Sequence, residues 1–236
     1  MDRILIALDV PTASAGLALA DTLRGAVGGY KIGMQLFTAA GPDVVRSLVD
    51  RGDRVFLDLK FHDIPNTVAG AVASATELGV WMVNVHAAGG RAMLEAAAAS
   101  AKTTASKTGR SRPLVIAVTV LTSIDAAALA STGVQGSPLE QVVRLAKLTQ
   151  DCGLDGVVAS PLETAAIRAA CGPDFVVVTP GIRGGSAAAG KDDQQRTMAP
   201  AEAVAAGSSY LVVGRPITGA DDPRAAAVRI GQEIAR

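Results

Sequence analysis

Eight short apolar runs, spaced along the chain with helix-forming stretches between them, restrict its fold more than any other feature. They read ILIALDV (4–10), GYKIGM (29–34), RVFLDLK (54–60), WMVNVHA (81–87), LVIAVTVL (114–121), GVVAS (156–160), FVVVTPG (175–181) and YLVVGRP (210–216). Each is rich in β-branched residues and nearly continuous in apolar character. That is the pattern of parallel strands buried on both faces, not the alternation of a half-wet sheet. The intervening segments carry helix signals. Asn66 is a candidate cap for a helix whose Val68, Ala71, Val72, Ala75 and Leu78 share one face and which Gly79 closes. Ser137-Pro138-Leu139-Glu140 has the spacing of a capping box with proline at the first helical position, and Asp222-Pro223 opens the last helix in the same way. A short helix is expected near 200–206. The runs AAAAS (96–100) and AKTTASKTGRS (101–111) read as a helix end and a solvated loop.

Eight strands alternating with helices in 236 residues predict an α/β protein, a (β/α)8 TIM barrel, formed as a single domain over 1–236. A doubly wound open sheet is the rival. It usually has fewer strands, and no G-x-G-x-x-G follows the first strand here. No linker or break in composition divides the chain. Aromatics are 3% of residues, so the core is built from Ala, Val, Leu and Ile.

Charge and hydropathy remove several function classes. The 22 basic residues balance the 22 acidic ones, which leaves no net field to gather nucleic acid or an anionic membrane. No apolar run approaches the ~20 residues of a membrane span, and MDRILIALDV reads as a strand, not a signal peptide. Cys152 and Cys171 have no metal-ligand or C-x-x-C spacing and are expected to be reduced core thiols of a cytoplasmic protein.

In either α/β architecture ligands bind at the carboxyl ends of the strands, and polar side chains gather there. Strand one ends with Asp9, strand two holds Lys31, and strand three ends with Asp58 and Lys60. Strand four ends with His86, strand five leads to Thr122, and strands seven and eight lead to Arg183 and Arg215. Asp58 and Lys60 are two apart, so a regular strand projects them to the same side. Alone they read first as a structural ion pair capping the barrel, ahead of a functional pair. Asp63, after a short turn, offers Lys60 a second carboxylate. Buried charges cost several kcal/mol per ion unless well paired, so a network of this kind points to chemistry. Carboxylates around Lys60 favour its ammonium form, which suits a proton donor or electrostatic partner better than a nucleophile.

Thr179-Pro180-Gly181-Ile182-Arg183-Gly184-Gly185 and Val213-Gly214-Arg215-Pro216 follow strands seven and eight. Glycines let backbone N–H groups approach an anion, and arginine forks match phosphate oxygens, at the usual phosphate position of this barrel. Without the barrel, ordinary turn glycines and surface arginines explain them as well. His62 reads as a loop residue and His86 as a hydrogen-bonded rim residue that has the option of facing the pocket. Lys60 competes with a divalent ion for the carboxylates, so no metal is predicted.

These motifs resemble orotidine 5′-phosphate decarboxylases of the bacterial type. The similarity runs from about residue 3 to 217 and rests on ALD (7–9), YKIG (30–33), FLDLKFHDIPNTV (56–68), VTVLTS (118–123), TPGIR (179–183), DQ (193–194) and VGRPI (213–217). The resemblance implies decarboxylation of orotidine 5′-phosphate to uridine 5′-phosphate, the last step of de novo UMP synthesis, without metal or organic cofactor. Lys60 is then the acid that protonates C6, and Asp58 sits by the substrate carboxylate. Asp9 and Lys31 engage the ribose hydroxyls and complete the charge network. Thr122 contacts the pyrimidine, and Arg183, Gln194, Gly214 and Arg215 surround the phosphate. Asp63, Ile64 and Thr67 reach the neighbouring subunit's site, so the partner is a second copy in a homodimer. Two departures stand out: an Ala- and Gly-rich loop from Gly184 to Asp192, and Ala199 where a threonine is expected before Pro200. The rivals are a metal-dependent pentulose- or hexulose-phosphate lyase, synthase or epimerase on the same barrel, and a catalytically silent nucleotide-binding barrel.

Overall fold

A computed structural model describes residues 1–182 and 197–235. All eight apolar runs form strands: β1 Ile4–Ala7, β2 Gly29–Gly33, β3 Val55–Phe61, β4 Met82–His86, β5 Leu114–Val118, β6 Gly156–Val158, β7 Val176–Thr179 and β8 Tyr210–Val213. Each pairs in parallel with its sequence neighbours. β8 returns to β1 through Leu5↔Val212, so the sheet closes into a barrel and the open-sheet alternative is excluded. The helices are α1 Ala13–Leu23, α2 Met34–Ala40, α3 Asp43–Val49, α4 Pro65–Glu77, α5 Gly90–Thr108, α6 Ala126–Ser131, α7 Pro138–Asp151, α8 Thr164–Cys171, α9 Pro200–Ala205, α10 Arg215–Thr218 and α11 Pro223–Glu233.

The continuous apolar character of the strands has a direct cause: alternate residues feed two different cores. Leu5, Ala7, Phe56, Met82, Ile116, Val178 and Val212 point inward and fill the barrel. Ile4, Ile6, Leu8, Ile32, Leu57, Val83 and Val85 point outward and pack with Leu36, Val45, Leu48, Val68 and Val72 of the helices. At the amino end Trp81 meets Tyr210 edge-on at 5.0 Å, with the Arg54 guanidinium 5.5 Å above the indole. Nearby, Arg112 donates twice to Asp155, and Asp155 also accepts the Val115 N–H at 2.7 Å.

The helix signals hold with two corrections. Ser137 and Glu140 form the capping box of α7, and Asp222 caps α11 by accepting the Ala225 N–H. Asn66, however, is not a cap. α4 begins one residue earlier at Pro65, whose fixed φ and missing N–H suit the first helical position, and Ile64 is the capping residue. The stretch 101–111 is not a loop up to Thr108. Ala97, Ala101, Thr104 and Ala105 are buried, and the Ser100 hydroxyl donates to the Ala69 carbonyl, so contact with α4 carries α5 on until Gly109 turns left-handed. Cys152 and Cys171 are free and buried, and burial pushes both thiols up.

Candidate active site

A cavity of about 500 Å³ opens at the carboxyl ends of the strands, within the size range of small-molecule sites. Its walls follow from strand alternation. Ala7 on β1 and Asp9 just beyond it, Lys31 on β2, Phe56 and Asp58 on β3, Val118 on β5 with Val120 and Thr122 after it, and Val212 on β8 with Gly214 after it all line it. On β1 and β3 the charged residue follows an inward apolar residue by one pleat, Asp9 after Ala7 and Asp58 after Phe56. The charges therefore occupy the first layer that the barrel core leaves open.

Four side chains form an alternating chain across the cavity floor. Lys31 Nζ lies 3.1 Å from Asp9 Oδ1 and 3.4 Å from Asp58 Oδ2, and Lys60 Nζ lies 2.7 Å from Asp58 Oδ1. The Lys31 side chain is 9% exposed and that of Asp58 13%, so these charges interact in a medium poorer in water than the surface. Asp58 Oδ1 also accepts the Asn84 amide at 2.6 Å.

The pairing of Asp58 with Lys60 does not come from simple strand alternation. Leu57 pairs with Val83 and Phe61 with Val85, so β3 advances four residues where β4 advances two. This bulge holds Lys60 in the left-handed region at φ 53°, a conformation disfavoured by Cβ sterics in any residue but glycine. The Lys60 N–H, turned out of the ladder, donates to Asn84 Oδ1 at 2.8 Å.

Asp63 departs from its sequence expectation. It is exposed at the rim, its Oδ1 accepts the following Ile64 N–H at 2.6 Å, and among the described residues of this chain it makes no ion pair with Lys60. The chain turns away after Phe61 to begin α4. Ile64 (67% exposed) and Thr67 are likewise exposed and do not line the cavity. The second carboxylate of the network is therefore Asp9, reached through Lys31. Thr122, Gly214 and Arg215 do line the cavity, as do Pro180, Gly181 and Ile182 after β7. Arg183, Gln194 and the loop Gly184–Asp192 lie outside the described residues.

His86 does not line the cavity. Its Nδ1 accepts the Ala88 N–H at 3.2 Å, and its ring stacks on His62 at 5.0 Å. Burial, then His62 and Lys60, hold the imidazole below its ordinary range, which keeps Nδ1 free to accept. Among the described residues no group of three or more His, Cys, Asp or Glu gathers as a metal site, and no helix is long and apolar enough to cross a membrane. Asn84 was missed by residue-type reasoning. It sits within the apolar run of β4, and the readable signal was a polar side chain in a strand buried on both faces.

The model of the orotidine 5′-phosphate decarboxylase / HUMPS family matches residues 2–230. The chain belongs to this family. It is 57% identical over 234 residues to the orotidine 5′-phosphate decarboxylase of Moorella thermoacetica, covering 99% of this chain and 92% of that protein. Identity to the enzyme of the same name from Halorhodospira halophila is also 57%, covering 99% and 96%. Among solved structures, the orotidine 5′-phosphate decarboxylase of Lactobacillus acidophilus superposes with a TM-score of 0.87 at 38% identity, over 99% of both chains. That of Pyrococcus horikoshii gives 0.78 at 25% identity, again over 99% of each.

Proposed function

We propose that this chain is a carboxy-lyase that converts orotidine 5′-phosphate to uridine 5′-phosphate and carbon dioxide, as its relatives' names describe. The observation that carries the reading is the Asp9–Lys31–Asp58–Lys60 chain on the floor of the cavity. In the reaction the bond from C6 to the carboxylate breaks and its electron pair stays on C6. No adjacent carbonyl accepts that charge, so the site must supply fixed positive charge where it develops. Lys60, already held by Asp58, does so without reorganisation at the moment of reaction. Its Nζ proton then passes to C6, and solvent restores the ammonium, so the net reaction consumes one proton and releases carbon dioxide.

In this reading Asp58 lies beside the departing carboxylate, and Asp9 and Lys31 bind the ribose hydroxyls. Thr122 meets the pyrimidine. Gly214 and Arg215, with Arg183 and Gln194, take the phosphate. Binding energy from the phosphate end is then available at the reacting carbon. Asp63, Ile64 and Thr67, which are exposed and do not line their own cavity, complete the site of a second copy in a homodimer. The active unit is one domain spanning the whole chain, acting in the cytoplasm without metal or organic cofactor.

The test is turnover of orotidine 5′-phosphate, followed by its ultraviolet change, for wild type and Lys60→Ala. Wild type is expected to turn over, undiminished by a chelator, and the variant to lose about 10³-fold or more. An inactive wild type, or a variant equal to it, overturns the assignment. Loss of activity on chelation moves it to a metal-dependent sugar-phosphate reaction of the same barrel.

A further inference from the structure

We propose that Asn84 is a positioning residue that aims the Lys60 ammonium by bridging its backbone to the Asp58 carboxylate. The proposal rests on the decarboxylase reading and adds a residue to it. Asn84 is fully buried, on the inward face of β4 one layer above Met82 and directly opposite the bulge in β3. Its Oδ1 accepts the Lys60 N–H at 2.8 Å, and its Nδ2 donates to Asp58 Oδ1 at 2.6 Å. Both partners have fixed polarity: a backbone N–H only donates and a carboxylate only accepts. The amide orientation is thereby set, and a side chain that only donates or only accepts cannot serve both.

The two bonds act on the two ends of one short segment. Holding the N–H compensates a backbone that sterics disfavour at Lys60. Holding Asp58 Oδ1, the same atom that accepts Lys60 Nζ at 2.7 Å, fixes the anchor of the ammonium. Loss of the bridge frees the bulge to relax toward a regular strand. That moves the Lys60 Cα, and with it the proton donor, while the phosphate end of the cavity stays in place.

Asn84→Ala is expected to lower kcat about 10²-fold, the cost of a displacement near 1 Å, with KM changed less than about threefold. The Lys60 amide, hydrogen-bonded to Asn84 Oδ1 in wild type, is expected to exchange slowly there and freely in the variant, while the other strand amides stay protected in both. Asn84→Asp supplies a second measurement and covers failure of the alanine variant to fold. Its new carboxyl would face Asp58 on β3, with Lys60 and Lys31 beyond, and His86 two residues along its own strand. Ionised, it repels Asp58; protonated, it accepts from the N–H and donates to Asp58 as the amide does. Activity of Asn84→Asp is therefore expected to rise as pH falls from neutral, relative to wild type, a trend that simple structural damage does not produce. A kcat for Asn84→Ala within threefold of wild type, an unchanged Lys60 exchange rate, or an Asn84→Asp profile parallel to wild type overturns the proposal. Wild type that releases no carbon dioxide overturns the decarboxylase reading instead, and the exchange measurement still reports on the bridge.

Discussion

Gly33→Ala separates the charge network from the stability of the barrel. Gly33 ends β2 at φ −92° and ψ −179°, a backbone that alanine adopts freely. A methyl there would stand 2.9 Å from Lys31 Nζ and 3.1 Å from Asp9 Oδ1. Ordinary contact begins at 3.4 Å, so the ammonium must retreat by 3.4 − 2.9 = 0.5 Å, and Asp9 by 3.4 − 3.1 = 0.3 Å. The atoms that yield are the far ends of two side chains, so the backbone has no reason to move. If a 1 Å misplacement costs about 10²-fold, half of that costs about 10-fold in kcat/KM. Stability is expected to move the other way. Replacing glycine where alanine fits removes freedom from the unfolded chain and adds about 0.4–1 kcal/mol. That raises Tm by roughly 1–4 °C in a chain of this length. Steady-state turnover of orotidine 5′-phosphate and calorimetry on the same preparation read both. A kcat/KM within twofold of wild type shows that turnover does not depend on where Lys31 sits. A fall in Tm shows that the methyl meets something that cannot yield.

Three further outcomes are expected. Ala199 occupies the capping position of α9 with extended backbone, and the Glu202 carboxylate already accepts its N–H at 3.3 Å, but alanine has no oxygen for the reciprocal bond; Ala199→Ser is expected to stabilise by about 1 kcal/mol in denaturant unfolding. The folded state holds the His86 pKa below its unfolded value, so below about pH 6.5 the unfolded chain takes up a proton that the folded chain refuses, and stability falls with pH. Tm is therefore expected to drop between about pH 7.5 and about pH 5.5, and to drop less in His86→Gln; equal drops in both remove His86 as a source of the effect. On the proposed reading of a homodimer with shared sites, mixing inactive Asp63→Ala with inactive Lys60→Ala is expected to restore partial activity, because each hybrid would have one site with both residues intact; no recovery after subunit exchange has been verified by mass counts against shared sites.

The barrel was legible in the sequence because its two cores demand the same thing of every strand. Residues facing inward and residues facing the helices are both apolar, so each strand announces itself as an unbroken run, and eight of them leave little choice of closure. The site was legible for the same reason in reverse: Asp9, Lys31 and Asp58 are the inward positions that follow Ala7, Gly29 and Phe56 in step two. What alternation does not contain is a change in its own phase. The bulge in β3 puts Lys60 in a left-handed backbone that no pattern of residue types around a lysine encodes, and nearness in sequence then gave Asp63 a contact with Lys60 that the departing chain does not make. Its trace was on the neighbouring strand. A fully buried amide amid valines must find a donor and an acceptor or carry an unpaired polar group at a cost of about 1–3 kcal/mol. A regular parallel strand satisfies its own backbone and offers neither. Asn84 in β4 therefore needs partners from neighbouring side chains or from an irregular backbone, and the adjoining β3 supplies one of each, the Asp58 carboxylate and the Lys60 N–H released by the bulge.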